Sequence, residues 1–349
     1  PDLDINFYEY YRESCNKLKK LLNTKEDVLI LDGEGILGLE AACASLIEAG
    51  DRILCIDNGI FGHGFGDFAK IYGAEVIYFK GDYRKAIDVD ELEKFLERDN
   101  EFKLATLVHC ETPSGITNPV DKICPLLKKH GIISIVDSVS AVGGERVEVD
   151  KWQMDIVLGG SQKCLSAAPG LTFLSISKGA WNIIENRKTP IASFYCNLGI
   201  WKNYYEEKWF PYTQPISDIY GLNCALDRIL EKGDYIERHN KIANGVRKAL
   251  KQAGLELYPL DGYSNTVTTV LIPEEISFDE IFNSMLEDHN IMIAGAFDYL
   301  KDKVIRIGHM GENCYEDKMY ITLKALNNVL KKYGIKLNGS LHKYFVDFM

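Results

Sequence analysis

The sequence predicts an α/β protein: a large unit with a mainly parallel seven-stranded sheet, then a smaller C-terminal α+β unit. Three observations carry this expectation. Short apolar runs alternate with amphipathic helical patterns through most of the chain. The runs are apolar on both faces, which suits strands covered by helices on each side. After about residue 235 the pattern changes to long helices with two strand-like runs between them.

The predicted strands are 28–31, 52–56, 75–79, 104–109, 132–137, 155–158 and 172–177. They are rich in β-branched and aliphatic residues. Helical periodicity falls between them at 39–48, 65–71, 89–98 and 123–130, as crossover helices of a parallel sheet require. In the second unit, YIERHNKIANGVRKALKQA (235–253) reads as one helix ended by Gly254. A strand at 267–272, a helix at 278–288, a short strand at 304–307 and a closing helix at 316–333 complete it. At 349 residues the chain exceeds what one simple core serves. Two domains are therefore expected, a large one at 1–235 and a small one at 236–349.

Composition narrows the function classes. The chain is 46% hydrophobic and 26% charged, with a net charge of −11, as in soluble globular proteins. Without a long basic run, nucleic acid and anionic membrane surfaces are not expected partners. No apolar run has the length to cross a bilayer and no signal peptide heads the sequence, so a cytoplasmic location is expected. The sequence starts at Pro1, and a preceding segment is expected. The nine cysteines form no C-x-x-C pair and mostly sit in apolar surroundings. They are expected to be buried, reduced thiols rather than a metal or redox site. The seven histidines lack the paired spacing with acids that a structural metal needs.

Chemistry starts at the turn after the first strand. In VLILDGEGILGLEAACASLIEAGDRILCID (28–57), Gly33, Gly35 and Gly38 spell G-x-G-x-x-G, and Asp57 ends the next strand. That matches a dinucleotide-binding fingerprint. Glycines at such a turn let backbone N–H groups approach an anion at the positive end of a helix. They also make a tight turn that holds no ligand. Glu34 lies between two of the glycines, where a carboxylate opposes a phosphate and suits a neutral hydroxyl.

Two later segments weigh more. In IISIVDSVSAVGG (132–144), Asp137 ends a strongly apolar strand, at the carboxyl edge where ligands bind to parallel sheets. In DIVLGGSQKCLSAAPGL (155–171), a second strand runs through two glycines into Gln162 and Lys163. A lysine presented in a small-residue loop is poised for a carbonyl ligand.

These segments resemble the class V aminotransferases of fold type I, which use pyridoxal 5′-phosphate, and within them the alanine–glyoxylate and serine–glyoxylate branch. The resemblance runs along nearly the whole chain, through GEGILGLEAA, DNGIFGHGFG, HCETPSGITNPVD, VDSVSAVGG, GSQKCLSAAPGL, FPYTQPIS and VIRIGHMG. It implies an enzyme that moves an amino group between a small amino acid and a small 2-oxo acid such as pyruvate or glyoxylate. It also implies a homodimer with shared sites. By the same resemblance, Lys163 forms the Schiff base with the cofactor aldehyde and shuttles a proton, and Asp137 pairs with the pyridine nitrogen. Val139 packs beneath the ring and Phe61 on its other face, close to the substrate. Thr112 hydrogen-bonds the ring's 3′-oxygen. Gly33, Glu34, Gly35, Ile36 and Gln162 fall at the phosphate end, and Thr213 reaches the phosphate of the neighbouring subunit. Arg306 clamps the substrate carboxylate, a task that suits a bidentate guanidinium.

The loop DGEGI departs from the serine-rich loop of that branch. Phe210 stands where a phosphate-binding tyrosine is common, with Tyr212 close by. G-E-x-x-L-G-L-E-A-A, T-P-S-G-x-x-N-P-x-D and R-I-G-H-M-G resemble the pyridoxamine–pyruvate aminotransferases, which take unphosphorylated pyridoxamine as substrate. Gln162, where those enzymes have asparagine, and Phe297, in place of a second arginine, point the other way. Both alternatives stay open: pyridoxal 5′-phosphate as bound cofactor, or pyridoxal and pyridoxamine as substrates. A lyase of the same fold would need a nucleophilic cysteine, for which Cys196 and Cys314 are the candidates. An NAD-dependent dehydrogenase would leave Lys163 and Asp137 without a task.

Overall fold

The computed structural model describes residues 4–349. Helix α1 (Ile5–Leu22) comes first and is tied to β1 (Asp27–Asp32) by Tyr11, whose hydroxyl bridges both backbone polar groups of Ile30 at 2.6 and 2.7 Å. Strand–helix alternation follows: α2 (Gly35–Leu46), β2 (Arg52–Asp57), α3 (Ile60–Ile71), β3 (Glu75–Lys80), α4 (Val89–Arg98) and β4 (Leu104–Val108). A short hairpin, β5 (Cys110–Glu111) and β6 (Ile116–Thr117), precedes α5 (Val120–Lys129) and β7 (Ile133–Asp137). Then come β8 (Ile156–Gly160), β9 (Leu171–Ile176), α6 (Lys178–Glu185) and α7 (Ile216–Lys232).

The seven large strands form one sheet in the order β1-β9-β8-β7-β4-β2-β3. Its neighbours are parallel except at β9, which runs antiparallel to both β1 and β8. The reversal has a local cause. The loop carrying Lys163 turns β8 straight back into β9, with no crossover helix between them. The observed strands lie within one or two residues of the predicted ones. Three helices begin earlier than their periodicity predicts: α5 by three residues, at Val120, and, at glycine-rich starts, α2 at Gly35 and α3 at Ile60. Glycine lowers the propensity of the latter two starts, and acidic side chains hold their first turns instead.

The remaining elements are α8 (Tyr235–Gln252), β10 (Val267–Leu271), α9 (Phe278–His289), β11 (Val304–Gly308), α10 (Glu316–Lys332) and α11 (Leu341–Asp347), with β10 and β11 antiparallel. Two large apolar clusters divide the chain. The buried members of one run from Phe7 to Ile229, and those of the other from Ile242 to Phe345. A polar seam joins them. Buried Glu145 accepts from the Asn265 backbone (2.6 Å), the Asn265 amide (2.9 Å) and the Thr117 hydroxyl (2.9 Å), while buried Arg247 donates to the Ser264 carbonyl. Charges survive such burial when they are hydrogen-bonded in this way. Eight of the nine cysteines are buried, Cys224 is exposed and all nine are free thiols. No described helix is long and apolar enough to cross a membrane.

Candidate active site

The site assembles from loops at the carboxyl edge of the parallel strands, where backbone polarity and chain reversals leave room for a ligand. Each glycine of the first loop has a packing task. Gly33 has φ +156° and its N–H donates to Gly170 O at 2.7 Å. A Cβ on Gly35 would lie 2.7 Å from Val139 Cγ2, and one on Gly38 would lie 2.5 Å from Thr172 Oγ1. Glu34 caps α2, its Oε1 accepting from Ile36 N at 3.1 Å. Asp57 is buried and holds Gly59 N at 3.3 Å and His63 Nδ1 at 2.9 Å. It is not presented to a ribose, so the dinucleotide fingerprint is a coincidence of turn and packing.

Asp137 ends β7, buried, and accepts from Val139 N at 2.8 Å. That bond turns the chain so that Val139 lies between Gly35 and Gly160, whose added Cβ atoms would come within 2.7 and 3.3 Å of its methyls. Burial pushes the Asp137 carboxyl up to about 6; the Lys163 charge draws it down and the Glu34 charge pushes it up. A cation placed against Asp137 would restore its ionised form. Gln162 lies beside Gly160, and its buried Oε1 has no hydrogen-bond partner among the described residues. Lys163 is half-buried, and its amine makes no hydrogen bond or ion pair among the described residues.

Thr112 and Phe61 enter from the neighbouring strand ends. Thr112 is buried, with Oγ1 2.6 Å from Ser140 Oγ. Phe61 opens α3 and meets Phe297 edge-on at 5.9 Å between ring centroids. Its backbone N–H is held by the carboxylate of Glu111. Sequence reasoning missed Glu111, although it lies in the quoted segment HCETPSG as the one acid of that strand end.

Lys163, Thr112 and Arg306 line one cavity of about 650 Å³. Arg306 comes from β11, and its Nε donates to Gly295 O at 2.6 Å. No carboxylate pairs with it among the described residues, and burial alone lowers its pKa. A half-buried guanidinium without an acid is a ready site for a carboxylate ligand.

Two further predicted residues have exposed side chains. Thr213 is exposed and makes no hydrogen bond among the described residues. Ile36 is exposed at the start of α2. Phe210 packs in an aromatic cluster. It is buried and stacks on Tyr8 at 4.4 Å, while Tyr212 stacks on Tyr195 at 4.2 Å. Burial raises the Cys196 thiol and pushes Cys314 up to about 12, which suits neither as a desulfurase-type nucleophile.

The profile of the family described as aminotransferase class-V matches residues 1–295. The chain belongs to that family. Pyridoxamine–pyruvate transaminase of Mesorhizobium japonicum is 33% identical to this class V aminotransferase over 343 residues, covering 96% of this chain and 87% of that protein. The crystal structure of ureidoglycine–glyoxylate aminotransferase from Bacillus subtilis matches with a TM-score of 0.95 at 29% identity, covering 99% of this chain and 91% of the other. That of alanine–glyoxylate aminotransferase from Nostoc sp. matches with a TM-score of 0.90 at 29% identity, covering 94% and 88%. Class V aminotransferases of this fold depend on pyridoxal 5′-phosphate. The ring end of this site fits that group: an unpartnered Gln162 oxygen, a Val139 floor between two glycines, and an acid at the strand end.

Proposed function

We propose that this aminotransferase moves an amino group between a small amino acid, such as alanine, and a small 2-oxo acid, such as pyruvate or glyoxylate. The observation that carries this reading is that Arg306, with no acid paired to it among the described residues, lines the same cavity as Lys163. Bound pyridoxal phosphate supplies an aldehyde for the amino group and a ring that withdraws electrons from the substrate α-carbon. Asp137 would hold the proton on the ring nitrogen, Val139 and Phe61 would flank the ring, and Thr112 would orient it through its 3′-oxygen. Arg306 fixes the substrate carboxylate, and Lys163 Nζ moves the proton released from the α-carbon. We further propose a homodimer in which the exposed Thr213 reaches the partner's site. In this reading 1–235 and 236–349 are the two domains, supported by the two separate apolar clusters. A cytoplasmic location accords with nine free thiols.

A second reading rests on Glu34. Its carboxylate already takes the Ile36 amide at the start of α2, where a phosphate would otherwise accept, and it suits the hydroxymethyl group of unphosphorylated pyridoxamine. One titration tests both. Cofactor-free protein receives pyridoxal 5′-phosphate or plain pyridoxal while absorbance is followed. A yellow band with the phosphate form that vanishes in Lys163→Ala supports the first reading. An unchanged colour in that variant removes the lysine assignment. Equal or tighter binding of plain pyridoxal favours the second reading.

A further inference from the structure

Glu111 is a buried acid with no part in the proposed chemistry. Its two oxygens accept from two successive amides at the start of α3, Phe61 N at 2.8 Å and Gly62 N at 2.9 Å. The approach depends on one glycine. A Cβ on Gly59 would lie 2.3 Å from Glu111 Cγ, whereas one on Gly62 would meet Oε2 only at an ordinary contact of 3.6 Å. Asp57 holds the same turn from the other side, through Gly59 N and His63. Two buried carboxylates and one glycine therefore fix a few residues, and the aromatic among them is Phe61. Full burial of an acid is costly unless its lone pairs are satisfied, and here the satisfying donors are the amides that aim that ring.

We infer that Glu111 is a positioning residue, which sets the Phe61 ring over the cofactor by clamping the first-turn amides of α3. This rests on the reading above, in which Phe61 covers the ring. Thr112 follows Glu111 directly, so one strand end both supplies the hydroxyl that meets the ring edge and anchors the group that covers the ring face. The charges facing Glu111 reinforce the link. Burial, with the Asp137 and Asp57 charges, pushes its carboxyl up to about 7. A ring cation against Asp137 removes one of those repulsions and favours the ionised, two-armed form of the clamp.

A double-mutant cycle tests this on wild type, Glu111→Gln, Phe61→Leu and the double variant. Three quantities are read: the cofactor dissociation constant by absorbance, hydrogen exchange at the amides of 61 and 62 without cofactor, and the thermal midpoint. Glutamine keeps one acceptor and loses the charge, so Glu111→Gln is expected to weaken cofactor binding about tenfold and speed exchange at both amides. The double variant is expected to bind no more weakly than Phe61→Leu, within about threefold, because the two residues act through one contact. Cofactor affinity unchanged in Glu111→Gln, or losses that multiply in the double variant, would overturn the inference. Should Glu111→Gln not fold, Gly59→Ala displaces the same carboxylate by its Cβ and gives the same two outcomes. Wild-type protein that binds no pyridoxal compound would overturn the parent reading as well; wild-type binding with an unaffected Glu111→Gln overturns only the positioning role.

Discussion

Arg306 lines its cavity with no acid paired to it among the described residues, its Nε bonded to Gly295 O. The terminal nitrogens are thus left for a substrate carboxylate, and their planar fork sets its angle. Arg306→Lys keeps the charge but loses the fork and the Gly295 bond. The Michaelis constants for both amino acid and oxo acid are expected to rise roughly tenfold or more, with the cofactor band unchanged. Steady-state kinetics beside an absorbance spectrum decide this; unaltered Michaelis constants would remove the clamp. Asp137 stands out in the sequence because it ends an apolar strand, and Lys163 because it sits in a small-residue loop; Arg306, in the middle of β11, is marked only by the resemblance of VIRIGHMG. Glu111 was not, because its task is to bind backbone amides of another segment, and no spacing within the chain reports that. The burial of Phe210 was not legible for a similar reason: Tyr8, on which it stacks, lies far away in sequence.

At the scale of elements, the glycine loop shows how one pattern serves two ends. Gly38 lets α2 lie against β9, because a Cβ there would press on Thr172 Oγ1, which itself donates to Gly159 O at 2.8 Å. Gly38→Ala sets a gain in helix propensity of about 1 kcal/mol against overpacking of roughly 1–3 kcal/mol. Packing should win, because the neighbour is hydrogen-bonded in the sheet and cannot turn away without losing its partner. A lower urea midpoint with an unchanged slope is expected; a higher midpoint would show that α2 can shift. The strands were legible almost to the residue, since two-sided burial leaves continuous apolar runs. The starts of α2 and α3 were not, because glycine hides helical periodicity and the compensating bonds come from side chains. Nor was the reversal of β9, since an apolar run carries no sign of direction.

The whole molecule carries opposing titrations. His109 and His239 are held at about 4 and His309 at about 3, mainly by burial. Unfolded imidazoles take protons near pH 6.5, so these three groups remove stability as pH falls from about 6.5 towards 4. Glu111 and Asp137, raised to about 7 and about 6, act the other way. The folded state takes their protons first, so their contribution grows as pH falls from about 7 towards 4, the usual carboxylate range. Two groups offset most of three until the unfolded carboxylates also protonate. Urea midpoints of the cofactor-free protein should therefore decline gently from pH 7 to about 5 and drop steeply below about 4.5. A steep fall already between pH 7 and 5.5 would mean that the two acids do not titrate as described. The pairing of β1 with β9, in which Asp27 faces Ile176, has a consequence for biosynthesis. The strand bearing the glycine loop leaves the ribosome early yet has its sheet partner only after β9 has been translated. Closing so long a loop is slow, so a nascent chain carries that edge open to misassembly until about the midpoint of synthesis has passed.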